Sequence, residues 1–432
     1  MTDWLINLEP SSRTALWIIL IGGMTNMACA VVGCFLVLRR MSLMGDAIAH
    51  AVLPGLVLAF LFSGTLAIGP LMLGAIAVGL LTAFLTQTLH RFGRMPSDAS
   101  MGVVFTSLFA LGIILVKRYI EGVHFDVDCV WEGSLLMLVF DTVPLAGVEV
   151  PRHVFTIGPV LLINAALIAL LWKELKLSSF DPALATTLGF GATLLHYLLM
   201  AMVAVTAVAA FEAVGSILVV AMLIVPGATA HLLTDRLHRM IWLALAVAIL
   251  STVAGYLLAL AWDVEVAGTM TVAAGLLYLA AVVASPRYGV VTRLLHTLGT
   301  SLRILREDVL AMLYRLEELD VVRRMTSGDA VQALGSGFLA RVAIRDLVRR
   351  RLVDRKAGQL ELTESGRSQA RHLLRSHRLW EAFLVEYLGL PLDHVHAPAE
   401  RMEHFIGERM QERLAEDLTD TATDPHGREI PE

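Results

Sequence analysis

The 432-residue chain is 56% apolar and 17% charged, with a mean hydropathy of +0.70. Soluble proteins carry about 25% charged residues, so this composition argues against a wholly soluble enzyme. Residues 1–286 hold 12 Lys+Arg and 16 Asp+Glu, whereas residues 287–432 hold 22 and 23, so a bilayer domain precedes an ordinary soluble one.

The opening MTDWLINLEPSSR is acidic and lacks a basic n-region, which reads as a short exposed tail rather than a cleaved signal peptide. Nine apolar spans follow, at 15–38, 43–63, 67–89, 98–116, 154–172, 188–210, 213–233, 240–262 and 266–284, each near the ~20 residues a helix needs to cross hydrocarbon. Glu212 and Gly215 interrupt the nearly continuous run 188–233. Ten bases, from Arg39 to Arg293, lie on one side of these spans and four (Arg13, Lys117, Arg118 and Arg152) on the other. The excess places the first set, and residues 287–432 with it, in the cytoplasm. The outer loop Arg118–Arg152 carries His124, Asp126, Asp128 and Glu132, with an apolar stretch Leu135–Phe140 that dips into the membrane or lies on it. The inner segment 173–189 is amphipathic, and Asp181-Pro182 starts a short helix along the membrane face. Cys29, Cys34 and Cys129 form no CxxC pattern, so no disulfide framework or thiolate metal site is indicated.

Among the intramembrane polar residues, Asp46 and His50 stand out, because a spacing of four puts both on one helix face. Carboxylate and imidazole together bind divalent first-row metals, and an unpaired charge in hydrocarbon is costly. The alternative is that Asp46 sits near the interface and hydrogen-bonds a neighbouring helix. Glu212 either lines a cavity beside Gly215 or caps a helix break, and His196 and His231 read as packed or interfacial. The stretches RRMSLMGDAIAHAVLPG and EAVGSILVVAMLIVPGATAHLLTDR resemble the permease subunit of ABC importers for manganese, zinc and iron, over residues 15–290. The resemblance implies a homodimeric pore in membrane lipid, fed by an extracytoplasmic metal-binding protein and driven by a separate cytoplasmic ATPase. It also puts Asp46 and His50 in the metal path, and Asp181, Pro182, Ala185 and Gly189 in a coupling helix docking on the ATPase. No G-x-x-x-x-G-K-[ST] loop occurs, so the ATPase is expected on another chain and this one is not expected to be an enzyme.

Residues 291–300 read as a linker, within a connector over 287–300, and residues 301–432 as the cytoplasmic domain. From Arg306 an apolar stripe of Val309, Leu313, Leu316 and Leu319 marks a helix. A second helix is expected near 338–352, then a hairpin turning at Ala357-Gly358, then a helix 364–388 capped by Thr363. This is a winged-helix pattern, and Arg341, Arg345 and Arg349 on its basic helix, with Arg355 and Lys356 in the wing, are candidate DNA contacts. The domain's balanced charge gives DNA little general attraction. Downstream, His377, His396 and His404 fall within 28 residues of one another together with Glu381, Glu400 and Glu403. His377 and Glu381 are spaced i, i+4, and Glu400, Glu403 and His404 share one helix face. Oxygen and imidazole without thiolate suit Mn2+ or Fe2+ better than structural Zn2+.

HRLWEAFL, AERMEHF and DPHGREIP resemble the metal-dependent repressors of the diphtheria-toxin-repressor and manganese-transport-regulator family, from about Glu307 to Pro431. That resemblance puts Asp308, Glu400, Glu403 and His404 on a primary metal site and His377, Glu381 and His396 on an ancillary one. Asp308 and Glu400 belong to the manganese branch, whereas Ala311 replaces a further acidic ligand of that branch. The expected architecture is an all-α polytopic membrane domain followed by a mainly α winged-helix and metal-binding, dimerising domain. The expected function is a Mn2+, or else Fe2+ or Zn2+, importer subunit with a metal-responsive tail. The alternatives are a membrane-tethered metal-dependent transcriptional regulator and a non-transporting metal receptor.

Overall fold

The computed structural model describes residues 10–41, 43–65, 68–119, 133, 135–145, 148–319, 325–335, 337–356 and 358–431. His124, Asp126, Asp128, Cys129 and Glu132 of the expected outer loop lie outside the described residues. The chain divides into two compact units, Met1–Thr292 and Arg293–Glu432.

The first unit opens with four apolar helices, α1 (Pro10–Leu38), α2 (Leu43–Ser63), α3 (Ile68–Phe92) and α4 (Ser97–Tyr119). A single turn, α5 (Leu135–Leu138), leads into an antiparallel hairpin, β1 (Thr142–Leu145) and β2 (Val148–Pro151), paired from Thr142↔Pro151 to Leu145↔Val148. Then come α6 (Val154–Leu170), α7 (Trp172–Phe180), α8 (Pro182–Thr187), α9 (Ala192–Leu233), α10 (Leu237–Trp262) and α11 (Val266–Ala284). The hairpin was not expected, since neither short strand alternates cleanly. In the apolar stretch Leu135–Phe140, Leu135 and Val139 are buried in the protein core, while Leu136, Met137 and Phe140 are exposed.

All nine expected apolar segments are helical, but among the described residues seven helices are long and apolar enough to cross a bilayer. They become eight if α6 and α7, bent by 78° at their junction, count as one span. The remaining segment, Leu218–Leu233, is shorter than a span. It is the second half of α9, which breaks at Gly215 (φ 76°, ψ 162°), a backbone region that residues with a Cβ avoid. Gly133, also at positive φ, packs against the break: a Cβ there would lie 2.2 Å from the Gly215 nitrogen. Phe35, Leu36, Ile48, Leu199, Met200 and Leu223 fill the core where α1, α2 and α9 meet. With no hydrophobic drive between helices in lipid, close approach of small residues holds such a bundle together. Gly33 of α1 illustrates it: a Cβ there would lie 1.6 Å from the Leu223 carbonyl oxygen.

The second unit holds a three-helix winged fold. Its first helix, α12 (Val290–Glu318), is unbroken, so the stretch expected as a linker is helical and the boundary between the two units falls inside a helix. The apolar positions 291, 295, 298, 302, 305 and 309 keep helical spacing throughout, which is why no coil interrupts them. α13 (Ser327–Ala333) starts with a capping box between Thr326 and Asp329, and α14 (Gly337–Arg349) ends where Arg351 turns left-handed. The wing pairs β3 (Val353–Lys356) with β4 (Gln359–Leu362), Gly358 supplying the positive φ of its turn. Thr363 caps α15 (Glu364–Leu388) by accepting the Gly366 N–H. Val309, Leu313, Ile344, Leu347, Val353 and Leu360 form the winged core. Beyond it lie α16 (His396–Met402), a 3-10 turn at Glu403–Phe405, and α17 (Glu408–Asp417).

Candidate metal centres

In the first unit, Asp46 lies in the opening turn of α2 and His50 one turn on, with His50 Nε2 3.3 Å from Asp46 Oδ1. Both side chains are part-exposed, and the imidazole stacks on Phe105 with the Phe109 ring edge-on beside it. The partner seen for Asp46 is therefore on its own helix. A carboxylate at a helix N-terminus is also favoured by the helix dipole. Elsewhere in this unit, Glu212 meets the buried His153 at 3.2 Å, in the turn before the Gly215 break. His196 is part-exposed on α9, and its ring packs edge-on against Tyr197.

The expected coupling helix is α8. Asp181 caps it by accepting the Leu184 N–H at 2.9 Å, Pro182 occupies its first turn, and Ala185 is its buried residue. Gly189 (φ 87°) closes it, with the Phe190 N–H reaching back to the Ala185 carbonyl. Leu184 and Leu188 are left exposed.

The second unit brings two groups of ligand atoms together. In each, one ligand atom per residue lies within 4.8 Å of the others: His377, Glu381 and His396, and Asp308, Glu403 and His404. In the first, Glu381 Oε1 lies 3.2 Å from His377 Nε2 and 2.9 Å from His396 Nδ1. His377 and Glu381 are buried on α15, a turn apart, and α16 begins at His396. In the second, His404 Nε2 faces Asp308 Oδ1 at 3.3 Å and Glu403 Oε1 at 3.9 Å. The two groups touch, because His377 Nδ1 hydrogen-bonds Glu403 Oε2.

Glu400 is exposed and lies outside both groups. Val395, Ala399 and Glu403 form the buried line of this segment, and Glu400, the residue after Ala399, is turned about 100° away from it. Two residues that the spacing did not single out take part instead. Glu307 Oε2 meets His404 Nδ1 at 2.7 Å, so this carboxylate orients the ring and leaves Nε2 free for the cluster, the arrangement that metal-bound imidazoles favour. His426 brings Nε2 to 4.0 Å from Glu381 Oε1, held by a loop in which Asp424 accepts the N–H groups of His426 and Arg428. Glu307 was visible only as the acid beside Asp308, and His426 only within DPHGREIP. The loop is fixed to α15 by the buried Arg378, which pairs with Glu318 and Asp424 and donates to the Glu429 carbonyl.

Such crowding of charge shifts the groups. Burial opposes charge on His404, but bonds to Asp308 and Glu307 outweigh it and push its pKa up to about 9. Burial likewise opposes charge on Glu381, yet His377 and His396 pull its pKa down to about 2. His377 is raised, with burial again opposing and Glu381 and Glu403 winning. Three carboxylates and three imidazoles without sulfur make a donor set that fits a hard to borderline divalent ion such as Mn2+ or Fe2+.

Arg341, Arg345 and Arg349 are exposed and four residues apart, so they form one stripe on α14. Asp346, between them in sequence, pairs with Arg306 and Arg350.

Residues 11–285 match the ABC 3 transport family, and residues 363–432 match the iron dependent repressor metal binding and dimerisation domain. The chain is 46% identical over 284 residues to the manganese transport system membrane protein MntD of Bacillus subtilis, covering 66% of this chain and 96% of that protein. It is 39% identical over 358 residues to the zinc transport system membrane protein TroD of Treponema pallidum, covering 82% of this chain and 97% of that protein. The solved structure of PsaBC from Streptococcus pneumoniae in complex with Fab superposes with a TM-score of 0.55 at 30% identity, over 67% of this chain and 98% of that one. With its membrane-spanning helices, the protein is a multi-pass plasma-membrane member of the ABC 3 transport family that also carries a repressor-type metal-binding and dimerisation domain.

Proposed function

We propose that the chain is the permease subunit of an ABC importer whose substrate is a divalent transition metal, Mn2+ ahead of Fe2+ and Zn2+, and that its cytoplasmic tail senses that metal. The observation that carries the transport reading is the Asp46–His50 pair, a carboxylate and an imidazole 3.3 Å apart at the start of an apolar helix. A cation crossing a low-dielectric core needs such ligands, and a carboxylate paired with an imidazole on one helix face supplies two of them. A manganese and a zinc transport protein among the relatives support the substrate class. ATP is hydrolysed by a separate subunit docked on α8, a metal-binding protein delivers from outside, and two copies of the chain form the pore. In the tail, Asp308, Glu403 and His404 hold one ion and His377, Glu381 and His396 another, with Glu307 orienting His404. Glu400, exposed here, is a primary-site ligand only if this segment rearranges on binding.

The test is metal uptake into proteoliposomes holding the chain and its ATPase. Asp46→Ala with His50→Ala abolishes Mn2+ uptake while the protein stays folded and inserted. Normal uptake by the double variant removes these residues from the path.

The exposed Arg341, Arg345 and Arg349 stripe favours a second reading, a membrane-tethered regulator that binds DNA. Binding that weakens steeply with salt, and is lost when the three are changed to alanine, supports it. Salt-independent or absent binding excludes it.

A further inference from the structure

One side chain ties the approach to α2, the helix of Asp46 and His50, to the approach to α8. Arg39, the first residue past α1, donates from Nε to Ser179 Oγ at 3.1 Å and from Nη2 to Ser178 Oγ at 2.9 Å. The two hydroxyls donate in turn to the Leu175 carbonyl, at 2.7 Å from Ser179 and 3.3 Å from Ser178. Each therefore presents a lone pair to the guanidinium, and the direction of every bond is fixed. Both serines are buried, and burial draws the Arg39 pKa down to about 10, so the group keeps its charge at neutral pH. Charge-assisted bonds from a planar fork resist rotation as well as translation, unlike a single-point contact.

The position of the clamp gives it meaning. Arg39 lies seven residues before Asp46, and Ser179 lies two before Asp181, the cap of α8. On the approach to α2, Arg40 is left-handed (φ 56°), the Met41 N–H bonds the Leu36 carbonyl, and the Met44 N–H bonds the Met41 carbonyl. Beside the clamp is a cavity of about 590 Å³, lined from one side by Arg39 and Met44 and from the other by Pro182 and Thr186. Thr86 Oγ1 and Gln87 Oε1, on its α3 wall, have no hydrogen-bond partner among the described residues. The two segments thus border one cavity and are tied by polar bonds through Arg39.

We propose that Arg39 is a positioning residue that transmits displacement of α8 to the Asp46–His50 helix, so that ATP hydrolysis and metal movement stay in step. This rests on the transport reading above. Loss of the tie leaves the ATPase able to dock and turn over but unable to reset the metal pair.

The experiment uses the full chain assembled with its ATPase in proteoliposomes, and reads Mn2+ ions imported per ATP hydrolysed alongside the ATPase rate. Arg39→Gln and the Ser178→Ala/Ser179→Ala double variant each lower ions per ATP about tenfold, within the range of measured coupling effects, while the ATPase rate stays within about twofold. Arg39→Lys, which retains charge without the fork, falls between. The serine variant leaves the backbone and most of the packing intact, so it reports even if Arg39→Gln fails to fold. Combining Arg39→Gln with the serine changes adds no further loss, since all three act through one contact. Unchanged ions per ATP, a parallel fall of uptake and ATPase rate, or multiplying effects in the combined variant overturns the link alone. Absence of uptake by the unsubstituted chain overturns the transport reading and the link with it.

Discussion

His404 sits between carboxylates on both sides of its ring, Glu307 at Nδ1 and Asp308 at Nε2, and this sets how the tail answers to pH. Its folded pKa, about 9, is above the ordinary histidine value. In metal-free protein its stabilising contribution is therefore complete below about pH 6.5 and is lost as pH rises through 9. A metal needs Nε2 deprotonated, so the opposite trend holds for binding: Mn2+ affinity rises with pH and levels off near 9. Thermal melts of the full chain with and without Mn2+ check both slopes, and a Mn2+-induced shift that shrinks from pH 6.5 to 8.5 contradicts the assignment. At fixed pH, Glu307→Gln weakens Mn2+ binding about 10–100-fold, the usual penalty for losing the group that orients a ligand imidazole. Glu400→Gln, at an exposed position, has the smaller effect in the same titration. The clustering of the first group was legible because His377 and Glu381 repeat at helical spacing and His396 lies close in sequence. Glu307 was not, because it and Asp308 are neighbours about 100° apart on α12, and only the fold wraps His404 so that each nitrogen meets one of them.

At the scale of elements, hydropathy located the apolar helices well, since a run of ~20 apolar residues has few alternatives. Its failures were at breaks and junctions. The break at Gly215 is met by Gly133, distant in sequence, and the hairpin at 142–151 has strands too short to carry a periodic signal. The supposed linker lacked proline and low-complexity sequence, and its apolar spacing simply continued into α12. Glycines separate close packing from open space. Gly33→Ala places a methyl carbon against the Leu223 carbonyl, a backbone atom that cannot yield, and is expected to cut the yield of folded protein by roughly an order of magnitude. Gly299→Ala, within α12 and with nothing near the added carbon, stabilises the helix by about 0.5–1 kcal/mol. Size-exclusion yield after detergent extraction reads the first and the tail's melting temperature the second. A well-behaved Gly33→Ala protein refutes the close crossing.

For the whole molecule, the proposed sensing role has a physical consequence: a cytoplasmic sensor fused to an importer would meet the product of import, and its useful response would be feedback. Metal must then bind one state of the tail better than another, and that state must slow the transport cycle. With ATPase activity as readout, Mn2+ on the cytoplasmic side inhibits the unsubstituted assembly about 5–150-fold, a span set by coupling energies of ~1–3 kcal/mol. Glu403→Gln with His404→Ala abolishes the response, and equal inhibition of both proteins refutes feedback. The hydrogen bond between His377 and Glu403 would shape that response curve. An ion held by the His377 group would leave Nδ1 as the donor to Glu403 Oε2, and the same carboxylate presents Oε1 toward His404. Filling one group would thereby pre-orient a residue of the other. Two independent sites need a roughly 81-fold rise in free metal to go from one-tenth to nine-tenths full, whereas a Hill coefficient near 2 compresses this to about ninefold. A single proton between two side chains would thus turn a graded brake into a threshold, set where the cell has enough metal.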